Sequence, residues 1–295
     1  MSGSLLLLFV FLSAFLAPPL SRLLRMPVPV GELVIGLLLG HFLAQGVALP
    51  EILGFLADFG FLLLMFLAGL EVDFNLLRQL ERRHFVFYAL YVVGMFLGAG
   101  LLAGLLGVGL AQALILALVS IGLMVATLRD MGILGRAFAK RVLILGVLGE
   151  VASLFGLTAM EKAAHYQGLL SLLKEVGIIA LFFLLLFLAF RLAGLFLWWY
   201  PEVGRRLVYE EDPSAMGIRL SLALMFAAAV MSGLVGLESV LGAFLAGMIL
   251  SYFLQKKHDL EAKLSAMGYG FLIPIFFIRT GMGIDLLGLV GRLLL

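Results

Sequence analysis

The chain of 295 residues contains no cysteine, and only 13% of it is Asp, Glu, Lys or Arg. The first absence excludes disulfides, thiolate metal sites and redox chemistry through sulfur. The second, with a net charge of +2 and basic residues confined to short clusters, excludes a nucleic-acid-binding surface. The four histidines, His41, His84, His165 and His258, fall in or beside connections, and none has the i,i+4 His or acidic partner of a metal site. No P-loop, nucleophile elbow or dinucleotide glycine pattern is present, so an ATP-driven pump or a hydrolase has no sequence support, and no enzyme activity or cofactor is expected. The N-terminus lacks a basic n-region and a small-residue cleavage site, and it reads as a first membrane span, with Pro18 and Pro19 marking its end or a kink.

What the chain has in abundance is apolar sequence: 64% of its residues are hydrophobic, in runs that recur from end to end. A bilayer is crossed by about 20 apolar residues of helix. Spans are expected at 4–24, 28–47, 54–73, 85–107, 110–128, 139–161, 172–197, 215–234, 236–254 and 266–284, with an eleventh beginning near 286. The expected fold class is an all-α polytopic membrane protein, residues 1–295 forming one integral unit. The connections after spans 1, 3, 5, 7 and 9 carry the basic residues, among them Arg22, Arg25, Arg78, Arg82, Arg129, Arg141, Arg205, Lys256 and Lys263, whereas the alternate connections share only Lys162. That alternation places the basic connections in the cytoplasm and the N-terminus outside.

Two segments recur. Residues 31–40, GELVIGLLLG, echo 237–247, LESVLGAFLAG; residues 59–73, FGFLLLMFLAGLEVD, echo 269–285, YGFLIPIFFIRTGMGID, after a two-residue adjustment. Span 2 runs outward and span 9 inward on the topology above, so the recurrence implies an inverted repeat, as in secondary transporters with sites at the bilayer midplane. The expected organisation is a first repeat over 1–161, a linker helix over 172–197 and an incomplete second repeat over 215–295.

Chemistry is expected at Glu150, a lone acid midway along the apolar run VLILGVLGEVASLFGLTAM (142–160). A charge at bilayer depth costs from about 3 to above 10 kcal/mol by different measures, so an acid persisting there points to an ion or proton site. Gly149 removes a side chain beside it, and Ser153 lies one helical turn on, on the same face. Ser120 and Gly122 weaken the helix of span 5, where non-helical backbone can offer carbonyls to a cation; small residues are equally ordinary helix-packing positions. Arg279, six residues before Asp285, either snorkels to the outer surface or serves as counter-ion to an intramembrane acid such as Glu150. Glu32 and Glu238 sit at matching helix starts, where an acid is favoured by the helix dipole.

The runs LRMPVPVGELVIGLLLG, DFGFLLLMFLAGLEVD, VSIGLMVATLRDMGILG and GFLIPIFFIRTGM resemble, in order and spacing, the monovalent cation/proton antiporters of the second cation/proton antiporter branch, which includes sodium/proton exchangers and glutathione-regulated potassium efflux systems. The resemblance implies about thirteen helices, six plus six in inverted repeats around a linker helix, assembled as a homodimer. It implies exchange of sodium or potassium for protons, with Ser120 at the break of an unwound crossing helix and Glu150 at the ion-binding position. Gly149 and Glu150 depart from the usual acidic or amide residue followed by Asp, leaving one carboxylate. Arg279 lies one helix before the place of the family's embedded basic residue. The chain stops at GRLLL inside an apolar run, roughly three spans short of the pattern, so a fragment is expected. Rival readings are a potassium efflux system gated by a ligand and a non-transporting membrane scaffold or sensor.

Overall fold

The computed structural model describes residues 3–42, 49–72, 82–107, 120–134, 215–235, 237–253 and 258–284, with shorter stretches and single residues between 109 and 199. The expected linker span 172–197, apart from isolated helical residues, the end of span 6 after Ser153, the 201–214 connection and everything from Asp285 onward lie outside the described residues.

Every element is helical among the described residues: α1 (Gly3–Leu23), α2 (Val28–Phe42), α3 (Glu51–Leu70), α4 (Arg82–Leu105), α5 (Ile121–Asp130), α6 (Met216–Leu234), α7 (Ser239–Phe253), α8 (His258–Met267) and α9 (Ile273–Met282). A π-turn, Gly268–Leu272, joins α8 to α9. Its cause is local: Pro274 has no N–H to give the preceding turn, and a wider turn accommodates the ring. Among the described residues, five stretches are long and apolar enough to cross a membrane, namely Gly3–Leu23, Glu51–Leu70, Val86–Leu105, Met216–Leu234 and Leu260–Met282. The segments expected as spans 2 and 9 form apolar helices of 15 residues each over their described parts.

The first helix, Gly3–Leu23, lies close to the expected 4–24, passes through Pro18 and Pro19 and then turns sharply through Arg25 at φ 55°. The backbone is extended at Ser120 (φ −104°, ψ 103°), which breaks span 5. One expectation is revised. Span 10 begins eight residues early, at His258, where a charged sequence that reads as a loop is helical and buries Leu260 and Leu264 one turn apart.

α3 is the central helix. Its whole second half, Leu63 to Leu70, is buried, and the largest apolar cluster forms around it with Ile121 and Val125 of α5, Phe244 and Leu250 of α7, and Ile273 and Phe277 of α9. α4, by contrast, turns Phe87, Leu90, Leu97 and Leu101 outward.

Glycines set the close helix crossings, including that of Gly242 in α7 on the Ala228 carbonyl of α6. α2 runs beside α9 in the same direction: a Cβ on Gly36 would overlap the Ile278 carbonyl, and one on Gly281 would overlap the carbonyl of Leu33. α3 runs beside α7 with the same interlock, Gly69 against the Phe244 carbonyl and Gly247 against that of Phe66. In both pairs a carbonyl and a glycine three residues later dock reciprocally on the partner helix. Between the pairs, α3 is antiparallel to the π-turn and α9, with Gly60 against Leu272 and Leu63 and Leu67 against Gly268. Small residues permit such approach where lipid supplies no hydrophobic drive between helices.

Candidate functional site at a broken helix

The break at Ser120 leaves the first amides of α5 without helical partners. Ser120 is the N-cap, and its Oγ accepts from the Leu123 N–H at 3.3 Å. The Ile121 N–H is satisfied from another segment altogether, donating to Oε2 of Glu150 at 2.7 Å. A carboxylate facing a helix N-terminus meets both an oriented donor and the positive end of the helix dipole.

Small residues bring the elements this close. Gly122 packs on Leu64 and Met65 of α3, and Gly146, one turn before Glu150, packs on Met124 of α5. The described residues of 141–153 are helical, with Gly149 buried and Glu150 half-buried. Ser153, 2% exposed, has one hydroxyl hydrogen shared between the carbonyls of Gly149 at 2.7 Å and Ala117 at 3.1 Å. It ties the segment before the break to the Glu150 helix.

Glu150, Ser120 and Ser153 therefore meet around one break, 29 residues of sequence separating the amide from its carboxylate. Oε1 of Glu150 receives no hydrogen bond from a described residue, and the Ser120 side chain is exposed. Arg279 is not brought to this site. Its guanidinium lies along the last turn of α9 beside Gly283, where a basic group complements the helix C-terminus, and no ion pair joins it to Glu150.

Of the two matched acids, Glu238 is exposed and its carbonyl accepts from the Ser232 hydroxyl at 2.9 Å, whereas Glu32 is buried. The sequence reading passed over the far end of α5. There Asp130 accepts from the Val28 N–H at 3.1 Å, capping α2, and the Arg129 guanidinium stacks 4.6 Å above the Tyr269 ring. These partners lie more than a hundred residues apart in sequence; the one local hint was the Arg-Asp pair closing the apolar run. Among the described residues no group of three His, Cys, Asp or Glu side chains is placed to hold a metal ion.

The sequence profile described as "Sodium/hydrogen exchanger, transmembrane" matches residues 11–294. The chain belongs to the sodium/hydrogen exchanger family. YjbQ of Bacillus subtilis, named as a Na(+)/H(+) antiporter, is 28% identical over 95% of this chain and 47% of its own length. A Na(+)/H(+) antiporter of Enterococcus hirae is 29% identical over 95% of this chain and 73% of its own. The glutathione-regulated potassium-efflux system protein KefC of Escherichia coli is 28% identical over 92% of this chain and 44% of its own. The chain thus spans about half the length of YjbQ and KefC. Sodium/hydrogen exchangers are transporters and not enzymes, and the family together with the five long apolar helices makes this a multi-pass membrane protein.

Proposed function

We propose that the protein is a secondary active transporter exchanging a monovalent cation, sodium or potassium, for protons, with Glu150 binding each in turn. The observation that carries this reading is the hydrogen bond from the Ile121 N–H to Glu150 across the break at Ser120. One carboxylate oxygen is held by the half-helix, and the other is left for a proton or a cation. Ser120 supplies a hydroxyl at the rim of the site, while Ser153, whose hydroxyl faces two carbonyls, positions the two segments. Arg279, beside Gly283 at the end of α9, lies at the outer interface and is not a counter-ion to Glu150.

The two glycine crossings support an inverted repeat. Leu33 and Gly36 stand to Ile278 and Gly281 as Phe244 and Gly247 stand to Phe66 and Gly69. The same segments echo one another in sequence, although the echo of α2 in α7 pairs Gly36 with Gly242, five residues from Gly247, and α3 and α9 run in opposite directions. We read residues 1–161 as the first repeat, 172–197 as the linker and 215–295 as part of the second. The ends of spans 3, 5 and 9 gather with the starts of spans 2 and 10 through Val28–Asp130, Val72–Ser251 and Arg129–Tyr269. This gathering is consistent with a cytoplasmic layer beneath the basic connections, an N-terminus outside and an inner-membrane location. The outward apolar side chains of α4 would face lipid or the second copy of a homodimer.

The test is proton flux in proteoliposomes of the full-length protein driven by sodium, potassium and lithium gradients in parallel. Saturable flux with sodium or potassium is expected. The similarity to KefC gives potassium a specific claim, and flux with potassium alone would select it. No cation-dependent proton flux with any of the three would overturn the antiporter reading in favour of a scaffold or sensor.

A further inference from the structure

α5 is a half-helix of 10 residues whose two ends are held by different partners. Its first amide, on Ile121, donates to Oε2 of Glu150 at 2.7 Å. Ten residues of helix form a rod about 15 Å long, so whatever fixes the far end of the rod also fixes the amide. At that far end Asp130 accepts from the Val28 N–H at 3.1 Å, which ties α5 to the start of α2. Arg129, the residue before it, engages a different element: its guanidinium carbon stands 4.6 Å from the centre of the Tyr269 ring.

Tyr269 belongs to the π-turn Gly268–Leu272, which is seated closely on α3. Gly268 meets Leu63 and Leu67, and a Cβ on Gly60 would overlap the Leu272 carbonyl. A π-turn takes one residue more than an α-turn, and one residue is about 100° of helix rotation. The turn therefore sets the direction in which Tyr269 leaves the chain relative to α9. The ring face makes the contact, since no hydrogen bond of good geometry reaches the buried Tyr269 hydroxyl. Arg129 is half-buried, and a cation over an aromatic face gains more the less water reaches it.

We infer that Arg129 and Tyr269 are positioning residues for the ion site: their stack clamps the far end of α5 to the π-turn and so keeps the Ile121 amide on Glu150. The role in ion binding rests on the antiporter reading; the clamping of α5 does not. The single hydrogen bond from Val28 to Asp130 is a hinge, about which a rod still turns, whereas ties to two different elements fix its orientation. The apolar contacts of Ile121 and Val125 with α3 are non-directional and oppose rotation less. Rotation of α5 carries the Ile121 amide away from the Glu150 oxygen, and a carboxylate that is no longer pre-organised binds a cation more weakly.

These 295 residues contain no cysteine, so a spin-label pair can be introduced at Met131, just past α5, and Ala262 on α8, both exposed. In the full-length protein the distance distribution between the labels is expected to be narrow in the wild type and in Tyr269→Phe, which keeps the ring, and broad in Tyr269→Leu and Arg129→Gln. In flux assays those two variants should raise the cation KM about fivefold, within what one cation–π contact can transmit, with kcat retained. Arg129→Lys, which keeps the charge, should recover part of the loss. The double variant Arg129→Gln with Tyr269→Leu should be no worse than either single one, because the contact is lost only once. Distance distributions unchanged in Tyr269→Leu and Arg129→Gln, additive losses in the double variant, or a Tyr269→Phe protein as impaired as Tyr269→Leu would overturn the inference. Wild-type KM in both Tyr269→Leu and Arg129→Gln would overturn the link to the ion site. A wild-type protein without flux would sink the antiporter reading, while the distance measurement still decides whether the stack clamps α5.

Discussion

Glu150→Gln is expected to reduce cation-driven proton flux to the background of empty liposomes while leaving the protein folded. Glutamine has the length and shape of glutamate, and its side-chain oxygen still accepts from the Ile121 N–H, now 2.7 Å from Oε2. The half-helix therefore keeps its partner, and the change in stability should stay within about 1.5 kcal/mol, the net worth of one hydrogen bond. What is lost is the ability to exchange a proton for a cation. Ser120 and Ser153 cannot replace it, because neither hydroxyl ionises in the accessible pH range and Ser153 is already directed at two carbonyls. Flux and thermal unfolding measured on the same preparation separate the two effects. Wild-type flux in the glutamine variant would remove Glu150 from the mechanism.

The largest effect on folding is expected at the glycine crossings. In Gly247→Ala the added methyl would overlap the carbonyl oxygen of Phe66, and both atoms belong to helix backbones, so neither can rotate away. The helices must separate, and the central α3–α7 contact is lost along with its neighbours. Overpacking of a core by one group costs about 1–3 kcal/mol where side chains can adjust; with backbone on both sides a loss at or above about 3 kcal/mol is expected. Gly36→Ala and Gly281→Ala, at the α2–α9 crossing, should cost about as much, because the interlock is the same. Gly94→Ala provides the contrast: no atom lies within 4 Å of the added methyl, and alanine is the better helix former, so α4 should be unharmed or slightly stabilised. Thermal unfolding in detergent measures all four. Equal stability of the Gly247 and Gly94 variants would contradict the packing described.

Much of this arrangement was legible in the sequence. Long apolar runs mark their own spans, since twenty such residues have few other uses, and α1, α3, α4 and α6 begin and end within a few residues of where hydropathy puts them. The break at Ser120 was foreshadowed by a serine and a glycine in an otherwise apolar run, and Glu150 by its isolation. The partner of Glu150 was not legible from the residues themselves, because a backbone amide carries no signature in sequence; only the resemblance placed Ser120 at a break. The burial of Glu32 was hidden for a related reason: nothing in GELVIGLLLG distinguishes an acid at a solvated helix start from one packed beneath another element. α8 was missed because His258, Asp259, Glu261 and Lys263 dominate its composition, while the burial of Leu260 and Leu264 that makes it a helix depends on the neighbours they meet.

The central claim is that one carboxylate, Glu150, carries either a proton or a cation, so that each cycle moves no net charge. The direct test is proton flux through the full-length protein in liposomes, driven by a fixed sodium or potassium gradient, at zero membrane potential and at potentials of about 100 mV of either sign. Each net charge moved would be worth about 2.3 kcal/mol at that potential. The account predicts the same rate at all three. A rate that rises with one polarity and falls with the other would show a second charged group moving with the ion and would contradict exchange at Glu150 alone.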